Sequence, residues 1–164
     1  MASRIVLELR HGRGNQRNSE GSFATLADGR IMYAYTRFRG RSWSDEGAAD
    51  IAARYSEDGG RTWTGRDRIL VKNDADCNVM SASLLRLQDG RIALFYLRKN
   101  SFLDCRTLMR SSSDECESWT DPICCIAAPG YFVVNNDRVI QLKSGRILIP
   151  AAYHRAKLDT ARMR

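Results

Sequence analysis

Histidine is nearly absent from this 164-residue chain, and its two copies, His11 and His154, stand too far apart in sequence to form a metal-ligand spacing. The five cysteines, Cys77, Cys105, Cys116, Cys124 and Cys125, lack any C-x-x-C pair, and two of them are adjacent. Neither a zinc site nor a disulfide framework fits that pattern. No G-x-S-x-G elbow, P-loop or dinucleotide fingerprint occurs, which removes the commonest serine-hydrolase and nucleotide-binding readings. No apolar run approaches the roughly 20 residues of a membrane span, and "MASRIVLELRHGRG" has too short an apolar stretch for a signal peptide. The expectation is a cytoplasmic protein without cofactor, metal or membrane partner.

What the chain does have is a 43% hydrophobic content, enough for the core of one globular domain, and a formal net charge of +7. Arginine far outnumbers lysine and is scattered through strand-like segments. A planar guanidinium suits carboxylates and phosphates, so an anionic ligand is one reading and a solvated surface is the other. Basic residues interleaved with aromatic stacking platforms are missing, and nucleic acid is not expected as a partner.

A repeat organises the sequence. "LADGRIMYAYTR", "LQDGRIALFYLR" and "LKSGRILIPAAYHR" begin at Leu26, Leu87 and Leu142, 61 and 55 residues apart. Each reads as a hairpin with a two-residue Asp-Gly or Ser-Gly turn, glycine supplying the positive φ that such a turn requires. The strand after the turn is apolar on both faces, as in sheets stacked face to face. A polar turn follows at a similar offset: Ser56, Asp58, Gly60, Thr62 and Trp63 of "YSEDGGRTWT" correspond to Ser112, Asp114, Cys116, Ser118 and Trp119 of "SSSDECESWTDP". Serine and aspartate side chains bond the amides of such a turn, and tryptophan fills space between neighbouring units. A calcium loop would need more oxygen ligands in succession. Four-stranded units repeating at this interval describe an all-β fold, a β-propeller. The first blade spans about 21–71, the second about 79–126, and an incomplete third about 131–164; "EGAADIAARYSED" is read as a strand, and residues 5–9 as a closing strand.

The motif S-x-D-x-G-x-T-W in "SEDGGRTW" resembles the Asp-box, or BNR repeat, and with the L-x-D-G-R-I hairpins the chain is similar to the sialidase superfamily of six-bladed propellers. The resemblance implies an exo-α-sialidase type of glycoside hydrolase acting on a terminal anionic sugar, or a portion of one. Asp-boxes also mark non-catalytic propellers that bind glycans or proteins, and that alternative stays open. Sialidases are retaining enzymes that use a tyrosine nucleophile, an assisting glutamate, an acid/base aspartate and three arginines that clamp the substrate carboxylate. The family's acid/base aspartate lies about eleven residues before the first box serine and about six after an arginine. Asp45 and Arg39 occupy those places here, with Arg37, Arg41, Glu46 and Asp50 as neighbours that a shifted alignment would select.

The family's Phe-Arg-Ile-Pro segment is absent. Arg17 in "NQRNSEGSF" is its best substitute, with Glu20 close by. Asn78 matches a polar residue that the family places near the substrate at the start of a strand, and Arg138 either faces the ligand or pairs with Asp137. The tyrosine, its glutamate and the remaining clamp arginines come from later blades in the family and have no counterpart here. Open blade faces and strand edges favour association, so a homo-oligomer completing the propeller is a further expectation.

Overall fold

The computed structural model describes residues 3–155, all of whose regular structure is β-strand. The part of the third blade expected over 156–164 lies outside the described residues. Strands β1 (Asn18–Thr25), β2 (Ile31–Phe38), β3 (Ala49–Ser56) and β4 (Arg68–Val71) form one antiparallel sheet in sequential order. Strands β5 (Asn78–Arg86), β6 (Ile92–Lys99), β7 (Cys105–Ser112) and β8 (Ile123–Cys124) repeat the arrangement. The third unit holds the short strands β9 (Tyr131–Val133), β10 (Ile140–Gln141), β11 (Ile147–Leu148) and β12 (Ala152–His154). Pro150 falls between β11 and β12; it has no N–H to donate to a ladder and marks the break in what is one strand in the other two units. The architecture is that of a partial β-propeller.

The three hairpins share one geometry. Leu26, Leu87 and Leu142 donate their N–H groups to the carbonyls of Arg30, Arg91 and Arg146, each at 2.8 Å, and Gly29, Gly90 and Gly145 all have φ between 84° and 88°. These are three-residue loops with glycine in the left-handed position, not the two-residue turns read from the sequence. The register explains the difference: the ladder pairs Thr25 with Ile31, which leaves one residue more than a two-residue turn holds.

Strand β6 is buried over nearly its whole length because both of its faces are covered. Ile92, Leu94 and Tyr96 pack with Ile51, Ala53 and Val71 of the first blade, whereas Ala93, Phe95 and Leu97 pack with Val134 and Val139 of the third unit. The Asp-boxes brace this stacking. Asp58 accepts from the amides of Arg61 and Thr62 and from Thr62 Oγ1, and Ser56 Oγ accepts from the Gly60 amide. In the second box Ser112 Oγ accepts from the Cys116 amide and Asp114 from the Ser118 amide and hydroxyl, while the Glu117 amide turns to the Asp114 backbone carbonyl, and Glu115 and Cys116 take the positive φ that Gly59 and Gly60 supply in the first. Both substitutions are compensated by contacts between blades. Cys116 is fully buried in the inter-blade core, and Glu115 makes a two-pronged ion pair with Arg86 while accepting the Ala27 amide. Trp119 packs against the same core, while Trp63 lies beside Phe23 and Tyr33 on the outer face of the first blade.

Residues 5–9 form no strand. Ile5, Val6, Leu7 and Leu9 instead line a cavity with Phe23, Tyr33, Tyr35 and Trp63. Asn18 Nδ2 donates to the Leu9 carbonyl, so the apolar character of this segment is used against an aromatic face and not in a ladder.

Candidate functional site

The inner strand of each blade starts at a repeated position. Arg17 and Asn78 are 61 residues apart, the interval of the first two hairpins, and each faces the last residue of the strand that follows: Asn78 pairs with Lys99, and the Arg17 carbonyl accepts from the Phe38 amide. The two residues anchor one loop, residues 39–48 between β2 and β3. Its base is closed by the Arg39 amide donating to the Ala48 carbonyl at 2.6 Å, and its tip is shaped by Ser42 and Ser44 hydroxyls that accept from the Ser44 and Glu46 amides.

Arg17 reaches Asp45 at 2.5 Å through Nη2 and the Trp43 carbonyl at 3.1 Å through Nη1. Its guanidinium lies 3.9 Å over the Phe38 ring, a stacking that leaves its edge free for hydrogen bonds. Asn78 is fully buried, and its Nδ2 donates to the carbonyls of Asp45 at 2.7 Å and Gly47 at 3.0 Å. The backbone from Asp45 to Gly47 is therefore held by the second blade and the Trp43 carbonyl before it by Arg17, while the Asp45 carboxyl points out, 69% exposed, beside Arg17. Such an arrangement can present a carboxyl and a guanidinium together to a ligand at this end of the inner strands.

Two of the expected site residues stand apart from the pair. The Arg39 guanidinium turns to Asp50, with Nε 2.9 Å from Oδ2, because Asp50 is nearly buried beneath it at the start of β3. Arg138 is exposed near Asn135 and Pro150, and among the described residues it forms neither an ion pair nor a hydrogen bond with Arg17, Asp45 or Asn78. It does not pair with Asp137 either, since the Asp137 carboxyl accepts instead from Ser22 Oγ at 2.8 Å.

Lys99 was not among the expected residues. It is 1% exposed, its Nζ lies 4.6 Å from the Phe102 ring centre and 5.6 Å from that of Tyr131, and it donates weakly to the Asp45 carbonyl at 3.4 Å. The repeat interval could have exposed it: 61 residues earlier stands Phe38, so Lys99 is a lysine in an apolar position of the repeat. Tyr131 beside it is pushed up to about 12, first by burial. Glu20 completes the neighbourhood. Burial raises its carboxyl above the usual range, a hydrogen bond from Ser81 and the charge of Arg17 oppose that rise, and the charge of Asp45 adds to it. Among the described residues no group of three or more His, Cys, Asp or Glu side chains is arranged to hold a metal ion.

Residues 29–163 match the family described as the BNR repeat-like domain. The chain belongs to that family. No curated protein matches it in sequence. Among solved structures it is similar to a Trypanosoma rangeli sialidase, with a TM-score of 0.69 at 17% identity over 92% of this chain and 30% of that one. It is also similar to the leech intramolecular trans-sialidase, at 0.68 and 13% identity over 93% and 42% of the two chains. A Hadza microbial sialidase gives 0.68 at 16% identity over 85% and 33%. Identities this low establish a shared propeller fold. This BNR-repeat chain spans between 30% and 42% of the length of those three structures.

Proposed function

We propose that this chain contributes the first blades of a sialidase-like glycoside hydrolase, with Asp45 as acid/base and Arg17 as a carboxylate-binding residue for a terminal anionic sugar. The observation that carries the reading is the Arg17–Asp45 pair, formed across 28 residues of sequence on a loop that Asn78 holds from the neighbouring blade. Asp45 protonates the leaving glycosidic oxygen and later activates water. Arg17 orients the sugar carboxylate, and Asn78 keeps the loop in place. Arg39 and Arg138 join the site only if the ligand draws them from their present surroundings.

The test is hydrolysis of a fluorogenic sialoside by a propeller that joins this chain to the later blades supplying the tyrosine and glutamate, with Asp45→Ala as the comparison. Turnover that falls about 100-fold or more in the variant supports the acid/base assignment; equal turnover removes it. The alternative, a glycan-binding propeller without catalysis, is favoured by one feature: Arg17 Nη2 is already paired with Asp45 in the free protein. Sialoside binding without turnover decides for it.

A further inference from the structure

Glu20 stands at an irregular point of β1, where the pairing with β2 shifts between Ser19 and Gly21, and its φ of 48° is left-handed. A residue with a Cβ adopts that conformation at a cost of about 1 kcal/mol or more. The same device recurs. Ser81, with φ 59°, sits where β5 shifts register between Met80 and Ser83, and Asp137, with φ 55°, precedes β10. These residues lie nine, nine and eight positions ahead of the hairpin glycines Gly29, Gly90 and Gly145. At two of the three, the left-handed residue joins neighbouring blades: the Ser81 amide donates to Thr36 Oγ1 at 3.0 Å, and the Asp137 amide donates to Ser83 Oγ at 2.6 Å.

Glu20 differs in what it presents. One carboxylate oxygen, Oε2, accepts from Ser81 Oγ at 3.1 Å, and Oε1 has no donor among the described residues. The charged groups whose fields reach it are Arg17, on the approach to its own strand, and Asp45, on the loop between β2 and β3. From β5, packed against it, comes Ser81, which does not titrate near neutral pH, and Asp137 of the third unit is engaged two residues away at Ser22. The Arg17 guanidinium therefore pairs with Asp45 at 2.5 Å and acts on Glu20 through its charge, and a sugar carboxylate arriving at Arg17 would bring a third negative group.

Building on the Arg17 reading above, we infer that Glu20 is a specificity-determining carboxyl: ionised, it opposes a carboxylated sugar at Arg17, and protonated, it admits one and donates a hydrogen bond to it. Each bound anion then brings one proton from solvent onto Glu20. Binding strengthens as pH falls, by up to about tenfold per unit while Glu20 is ionised in the free protein, because each unit of pH changes the cost of that proton by a factor of ten. A neutral amide in the same place removes the repulsion and the proton uptake together.

The experiment is calorimetric titration of the protein with N-acetylneuraminic acid between about pH 5 and pH 7.5, in two buffers of different ionisation enthalpy, for wild type, Glu20→Gln and Arg17→Ala. The expected result is wild-type binding that tightens on acidification, by up to about tenfold per unit, with net proton uptake. Glu20→Gln binds at least about tenfold more tightly near pH 7, with no proton uptake and a flat profile. If Arg17→Ala abolishes binding while Glu20→Gln keeps the wild-type affinity and slope, the inference about Glu20 falls and the Arg17 site stands. If neither wild type nor Glu20→Gln binds at any pH, with the β-sheet circular dichroism intact, the anion-site reading itself falls and takes the inference with it.

Discussion

Asn78→Ala tests how the second blade holds the Asp45 loop. The substitution deletes two hydrogen bonds from Nδ2, to the carbonyls of Asp45 at 2.7 Å and Gly47 at 3.0 Å, each contributing about 1 kcal/mol net. Part of that loss is offset. Asn78 Oδ1 is buried without a donor, and removing it relieves a desolvation cost on the order of 1 kcal/mol. The net expectation is a loss of about 1–2 kcal/mol, or a fall in the thermal midpoint of about 2–8 °C for a domain of this size. The loss is spent locally if the loop detaches before the blades separate. Hydrogen exchange distinguishes the two cases, because the Arg39 amide donates to the Ala48 carbonyl and the Gly47 amide to the Ser44 carbonyl. Faster exchange confined to Arg39 and Gly47 with a small change in midpoint means local opening; a lower midpoint with exchange at both amides rising in step with the strand amides means that the loop is integral to the blade contact. A variant with wild-type midpoint and wild-type exchange at both amides would refute the claim that Asn78 positions Asp45.

Acid should weaken the fold through the Asp-boxes. Asp58 and Asp114 are lowered to about 2, first by the hydroxyls of Thr62 and Ser118, and Glu115 is lowered to about 2, first by its hydrogen bonds with Arg86. Since the folded values lie below the unfolded ones, this stabilisation is complete above about pH 4.5 and is lost as pH falls toward about 2. Thermal midpoints followed by circular dichroism should drop over that window, and Asp114→Asn should flatten the drop. Gly21→Ala should destabilise by about 1–3 kcal/mol, as overpacking does, because an added Cβ would stand 2.3–2.4 Å from the Tyr33 ring. In urea unfolding, Tyr33→Ala should recover most of that loss in the double variant; an unchanged deficit would place the strain elsewhere.

Much of the fold was legible because its signals are local. The hairpins repeat over a few residues, the Asp-boxes bond within four positions, and the double-faced apolar strand at Ile92–Lys99 declares that both sides are covered. Turn length was not legible: Asp-Gly is compatible with two-residue and three-residue loops, and the register of the flanking strands chose the second. In the candidate site, counting from Ser56 pointed to Asp45, but whether Arg17 or Arg39 stands beside it depends on how the loop crosses the blade. The near-buried Asp50 takes Arg39, leaving Arg17 to Asp45.

The sequence by itself determined the repeat, the strand-only architecture and the membership of a propeller family, since these rest on spacings and on side chains that bond their own turns. Tertiary structure decided which residues meet. Arg17 and Asp45, Asn78 and the loop carbonyls, and Glu20 and Ser81 are joined across 28 to 61 residues; the pairing of β1, β2 and β3 brings the first pair together, and the stacking of one blade on the next brings together the other two. The same stacking made room for Cys116 where the first box has glycine, because a buried thiol between blades compensates a backbone conformation that the local sequence disfavours.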